Sequence, residues 1–161
     1  KYKNILGEDI IEIWEKYGFG TTFHGYLKII NPDDYHELLE ETYIIPFDDI
    51  PVFITGMGDI ITCDNMGSFS IVDYRHQRVK VFWTEKEIEW DYFFENFYKK
   101  YWQWDPYFEA IKKYGEPEYN ECFDYEPLLS LGGKESVESL KKVDFEVHIT
   151  IIGEMQGILS Y

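Results

Sequence analysis

The sequence is short of positive charge. Its 15 Lys+Arg stand against 31 Asp+Glu, a formal net charge of −16. A surface with that balance repels the phosphates of nucleic acid and the headgroups of anionic membranes. Neither is expected as a partner. Cysteine is nearly absent too. Cys63 and Cys122 are the only two, far apart and without C-x-x-C spacing. That pattern supports neither a disulfide framework nor a thiolate metal site, and reads as reduced core thiols of a cytoplasmic protein. No stretch approaches the ~18 uncharged apolar residues of a membrane span. Lys1 to Ile11 contain Glu8 and Asp9 and no apolar signal-type core, so a leader is not expected there. No low-complexity tract, Ser/Gly linker or internal repeat breaks the chain. At 161 residues the expectation is a single domain over 1–161.

Motifs that carry chemistry are also missing. His24, His36, His76 and His148 fall in different segments, none at ligand spacing with another His or Cys. Gly56-Met57-Gly58 is followed by a strand pattern where a dinucleotide fingerprint needs a helix, so it reads as a turn. Gly132-Gly133 precedes a helical pattern and could expose N–H groups to an anion, but punctuation between elements is the stronger reading. Acid pairs such as Asp33-Asp34, Glu40-Glu41 and Asp48-Asp49 are unremarkable in so acidic a chain. No calcium-loop pattern organises them. No catalytic residue, metal or cofactor is expected.

Aromatic residues, in contrast, are abundant at 19%, with 5 Trp, 14 Tyr and 12 Phe. Disordered acidic chains lack them, because such chains cannot bury enough apolar surface to offset chain entropy. The sequence therefore describes a folded body with a negative exterior.

The element pattern is α+β. Ile10, Ile13, Trp14 and Tyr17 recur at helical spacing, and Gly18 and Gly20 end that run. Gly25 to Ile30 is a short strand. Asn31-Pro32 starts a second helix, with Asn as cap and Pro at the first position, and Tyr35, Leu38, Leu39 and Tyr43 on its apolar face. Four β-rich runs follow between Pro51 and Trp83, separated by turn residues. They predict an antiparallel meander over 51–83, in a central sheet of about four to five strands flanked by helices. Thr84 and Glu87 fit a capping box for a helix to about Phe97. Asp105-Pro106 opens another, with Phe108, Ile111 and Tyr114 inward and Gly115 as its stop. Tyr119 to Leu131 reads as irregular, Lys134 to Val143 as a helix, and Asp144 as the cap of a last segment to Leu159. In that segment Val147, Ile149, Ile151 and Ile152 leave helix and strand close to even on propensity. The spacing of Phe145, His148, Ile149, Ile152, Met155 and Gln156 favours helix.

Between Trp90 and Tyr107 aromatics crowd more than one helical face. One reading of them is a thick core layer. Tyr98, Tyr101, Trp102 or Trp104 left outside would serve as anchors, since Trp and Tyr dominate interface hot spots.

Several blocks, in order along the chain, resemble the GAD-like bacterial immunity proteins linked to polymorphic toxins and type VI secretion. They are Trp14–Gly20, Ile29–Tyr35, Pro51–Ile61, Val72–Arg75 and Tyr119–Gly133. The resemblance implies a cytosolic protein that neutralises a cognate toxin by binding it, without chemistry of its own. Nucleases are among the toxins such families oppose. It supplies no catalytic residues.

The composition agrees with such a role, because an acidic, aromatic-bearing surface complements a basic one and speeds its capture. Contact candidates are Asp48 and Asp49 in one acidic loop, Glu116, Glu118, Glu121 and Asp124 in another stretch, and Trp102 and Trp104 as anchors. The expected partner is a basic toxin, bound by a monomer or weak dimer. Two other readings stay open: a regulatory or scaffold module for a basic protein unrelated to toxins, and a small enzyme using a carboxylate or thiol.

Overall fold

A computed structural model describes residues 1–44, 48–83 and 104–160. A six-stranded antiparallel sheet runs in simple sequence order: β1 (Gly20–Thr22), β2 (Leu27–Ile29), β3 (Ile50–Thr55), β4 (Ile60–Cys63), β5 (Phe69–Asp73) and β6 (Arg78–Trp83). The meander over 51–83 is therefore present, and the segments on either side of Phe23–Tyr26 extend it by two strands. β7 (Glu121–Tyr125) and β8 (Leu140–Asp144) form a separate antiparallel pair. The helices are α1 (Glu8–Tyr17), α2 (Pro32–Thr42), α3 (Trp104–Tyr114) and α4 (Phe145–Gln156).

Local chemistry explains most boundaries. Asn31 caps α2 by accepting from the Asp33 amide, with Pro32 at the first turn. Asp144 caps α4 by accepting from the Val147 amide at 3.1 Å. Gly18 and Gly115 follow α1 and α3 with φ of 68° and 80°, values that L side chains avoid. Pro51 has no N–H to give a ladder, and β3 takes a register shift between Pro51 and Phe53.

Neighbouring strand residues feed opposite faces, as the pleat requires. Phe53, Ile61 and Ile71 join Ile10 and Ile13 of α1, Tyr107 and Ala110 of α3, and Phe123 in one buried cluster. Ile54, Ile60 and Val72 join Tyr35 and Leu39 of α2, Phe145, Ile149 and Ile152 of α4, and Cys122 in the other. The sheet thus lies between an α1–α3 layer and an α2–α4 layer.

Strand β7 contributes to both clusters and docks on the β3–β4 turn, where the Phe123 amide donates to the Gly56 carbonyl at 2.7 Å. Gly56 is needed there: a Cβ would run into the ring of Tyr107.

The structure corrects three expectations. Tyr119 to Leu131 is not irregular throughout, because Glu121–Tyr125 is strand β7. Lys134 to Val143 is not a helix; a 3-10 turn at Val137–Ser139 leads into β8. Each of these strands exists through pairing with the other, from Glu121↔Asp144 to Tyr125↔Leu140. Neither segment shows that partner locally. In α3 the buried residues are Tyr107 and Ala110, while Phe108, Ile111 and Tyr114 are half-buried. The expected helix from Thr84 to Phe97 lies outside the described residues.

Candidate interaction surface

The polar centre of the molecule is internal. The Arg75 guanidinium holds Asp59, which also accepts from the Thr55 hydroxyl at 2.8 Å. Asp73 accepts from Arg78 Nε and is bonded to His76 Nδ1, both at 2.8 Å. Nε2 of His76 meets Glu135 at 3.0 Å. Burial opposes the charged form of Asp73, but the bond to His76 and the charge of Arg75 win and hold its carboxyl near 2. His76 is raised, chiefly by its bond to Asp73. The network fastens the β3–β4 turn, the β5–β6 turn and the segment before β8. Asp59, Asp73 and Arg75 are buried, so it works as a scaffold.

The thiols are similarly enclosed. Cys63 and Cys122 are free and buried. Burial pushes Cys63 up to about 12 and Cys122 higher still, opposite to what a thiolate nucleophile needs. Lys28 is wholly buried on the α2–α4 side, and burial lowers its ammonium to about 8. Fully enclosed, it cannot meet a substrate. Among the described residues no group of three or more His, Cys, Asp or Glu is placed to hold a metal ion.

The contact candidates separate into exposed and buried sets. Asp48 is exposed, with φ of 55°. It lines an open groove of about 660 Å³ with Lys1, Tyr2, His36 and Glu40. Asp49 also borders that groove but turns its carboxylate inward, accepting from Thr62 Oγ1 at 2.9 Å and Tyr43 Oη at 3.3 Å. Glu116 and Glu118 are exposed before β7, and Glu116 stands 3.3 Å from His24 Nδ1. Glu121 is half-buried, accepts from the Glu118 amide and lies 4.0 Å from Lys142 Nζ. Asp124 is buried under α4, bonded to His148 and the Tyr125 amide. The expectation of partner contact therefore does not carry over to Asp49 and Asp124, whose carboxylates are spent on internal bonds. Trp104 is the first residue of α3, and Trp102 lies outside the described residues.

Helix α4 carries an exposed apolar feature. Phe145, Ile149 and Ile152 of α4 pack inward as the spacing required, but Met155, expected beside them, faces outward. Val147 and Ile151 face outward with it. The four-residue spacing of Val147 and Ile151 is visible in the sequence, but their β-branched side chains leave helix and strand close to even there.

A family model described as T6SS immunity protein Tdi1, C-terminal, matches residues 89–156, less than half of the chain. The match takes in α3, β7, β8 and α4. No curated protein matches the chain. Among solved structures, the crystal structure of Atu4351 from Agrobacterium tumefaciens superposes with a TM-score of 0.76, over 99% of this chain and 80% of that one. The two are 18% identical, so the likeness is one of fold. Among the described residues no helix is long and apolar enough to cross a membrane. In its C-terminal part, then, the chain is similar to an immunity protein of the type VI secretion system.

Proposed function

We propose that this chain is a cytoplasmic immunity protein of the GAD-like kind, which neutralises a cognate toxin by binding it through an acidic surface. The observation that carries the reading is the match of residues 89–156 to a type VI secretion immunity model. The charge excess supports it, because exposed acids such as Asp48, Glu116 and Glu118 are available to a basic partner. Acidic complementarity accelerates encounter, while a few desolvated side chains supply most of the affinity. A nuclease fits such a surface, since its phosphate-binding face is cationic. Binding with no bond-making is the whole mechanism.

The test is genetic and biochemical together. The product of the neighbouring gene is expressed with and without this protein, and the purified pair is titrated at two salt concentrations. Rescue of growth, with an association rate that falls as salt rises, is the expected result. A neighbour that is harmless or does not bind overturns the reading.

A further inference from the structure

Helix α4 is apolar on both sides. Its inner residues Phe145, Ile149 and Ile152 are buried on the sheet. Its outer residues Val147, Ile151 and Met155 are 59%, 43% and 52% exposed, and Ile158, just past its end, is 58% exposed. Residues four apart lie one above the other on a helix, so Val147, Ile151 and Met155 form one line about 12 Å long. A helix with apolar residues on two sides ordinarily packs on both of them. Here half of it faces solvent.

The surroundings of that line specify its complement. Helix α2 lies beside α4: the rings of Tyr35 and Phe145 are 6.0 Å apart, and Gly153 leaves room for Thr42, which any Cβ there would strike at 2.8 Å. α2 presents Asp34, Glu37 and Glu41 to solvent, and α4 adds Glu146 and Glu154. Neither helix contains a Lys or Arg, and the sequence has none from Ile29 to Tyr74 or from Val143 to Tyr161. The result is an aliphatic line in an acidic frame: among the described residues the ion pairs on α2, Lys1 with Asp33 and His36 with Glu40, involve none of the acids just named. A second copy would set acid against acid, at −16 per chain.

We infer that the α2–α4 face is the docking surface for an amphipathic segment of the toxin, apolar along its centre and edged with Lys and Arg. The inference rests on the immunity reading above and assigns that function a surface, with α4 inside the segment that matches the immunity model. Val147, Ile151 and Met155 supply the desolvated centre, and the acids of α2 steer and fix the basic edges.

The probe is the purified product of the neighbouring gene, titrated against the full chain and three variants. Ile151→Lys with Met155→Lys places charge in the apolar line. Glu37→Lys with Glu41→Lys reverses the frame without touching any packed apolar group. Glu12→Lys, exposed on α1 across the sheet, is the control. Circular dichroism checks that each variant is folded. The expected result is binding at least tenfold weaker for the first variant and several-fold weaker for the second, whose salt dependence is flatter, with the control within about twofold. Binding by the wild type that neither α4 nor α2 variant weakens overturns this assignment and leaves the immunity reading standing. No binding by the wild type removes both. A wild-type dimer in light scattering that Ile151→Lys dissociates gives the face to a second copy and also overturns the inference.

Discussion

Arg75 sets a single nitrogen, Nη2, on both carboxylate oxygens of Asp59, at 3.0 and 2.9 Å, with both side chains buried. The pair ties the end of β5 to the start of β4, at the edge of the turn on which β7 docks. A buried charge stripped of its partner is costly, whereas a pair replaced together need not be. Arg75→Ala should lower the unfolding free energy by about 3–5 kcal/mol. Arg75→Met with Asp59→Asn should lose less than the single change. Urea midpoints for the three proteins decide it, and a loss under about 1 kcal/mol for Arg75→Ala would show that Asp59 finds another partner.

His76 gives stability a defined dependence on pH. It faces Asp73, Arg75 and Glu135. Its native value is raised above 6.5, so the folded chain keeps a proton that the unfolded chain releases. That contribution is fully present below about 6.5 and is lost as pH rises through the native value. Asp73, held near 2, contributes above 3.8 and loses its effect only as pH falls toward 2. Denaturant midpoints of the wild type should therefore drop as pH climbs above 6.5. His76→Gln should flatten that drop and leave the acid limb in place. Parallel curves for the two proteins would rule out His76 as its source.

Lys28 acts in the opposite direction. Its ammonium is buried, donates to the Gly25 carbonyl at 3.4 Å, and is lowered from 10.5 to about 8 by that burial. Because the folded chain binds this proton less well, stability should rise as pH climbs from about 8 to 10.5. The gap between those values corresponds to roughly 3 kcal/mol. Lys28→Met shortens the side chain by one atom and removes the charge. It should be more stable than the wild type at neutral pH, by about 1–3 kcal/mol, and should lack the alkaline rise. Thermal melts at pH 7 and pH 10 measure both effects. A less stable variant would mean that the ammonium is worth more than its burial costs.

Elements are legible in the sequence where a few adjacent residues decide the outcome. Asn31-Pro32 opens α2, Asp144 caps α4, and Gly18 and Gly115 follow α1 and α3, each through one side chain or one backbone angle. The meander over 51–83 was legible because each of its strands pairs with the next across a short turn. β7 and β8 were not, because Cys122 meets Val143 only after the intervening chain has returned. Charge, likewise, was a property of composition, but its placement was not. Asp49 and Asp124 look like Asp48 and Glu116 in sequence, and only burial separates them.

Composition and local order by themselves determined an acidic α+β protein with a β-meander, two widely separated cysteines and no local catalytic motif, since those features depend on residue type and near neighbours. Tertiary structure alone decided which acids are spent on internal bonds and which side of α4 is left bare, because burial depends on what the rest of the chain brings against each residue.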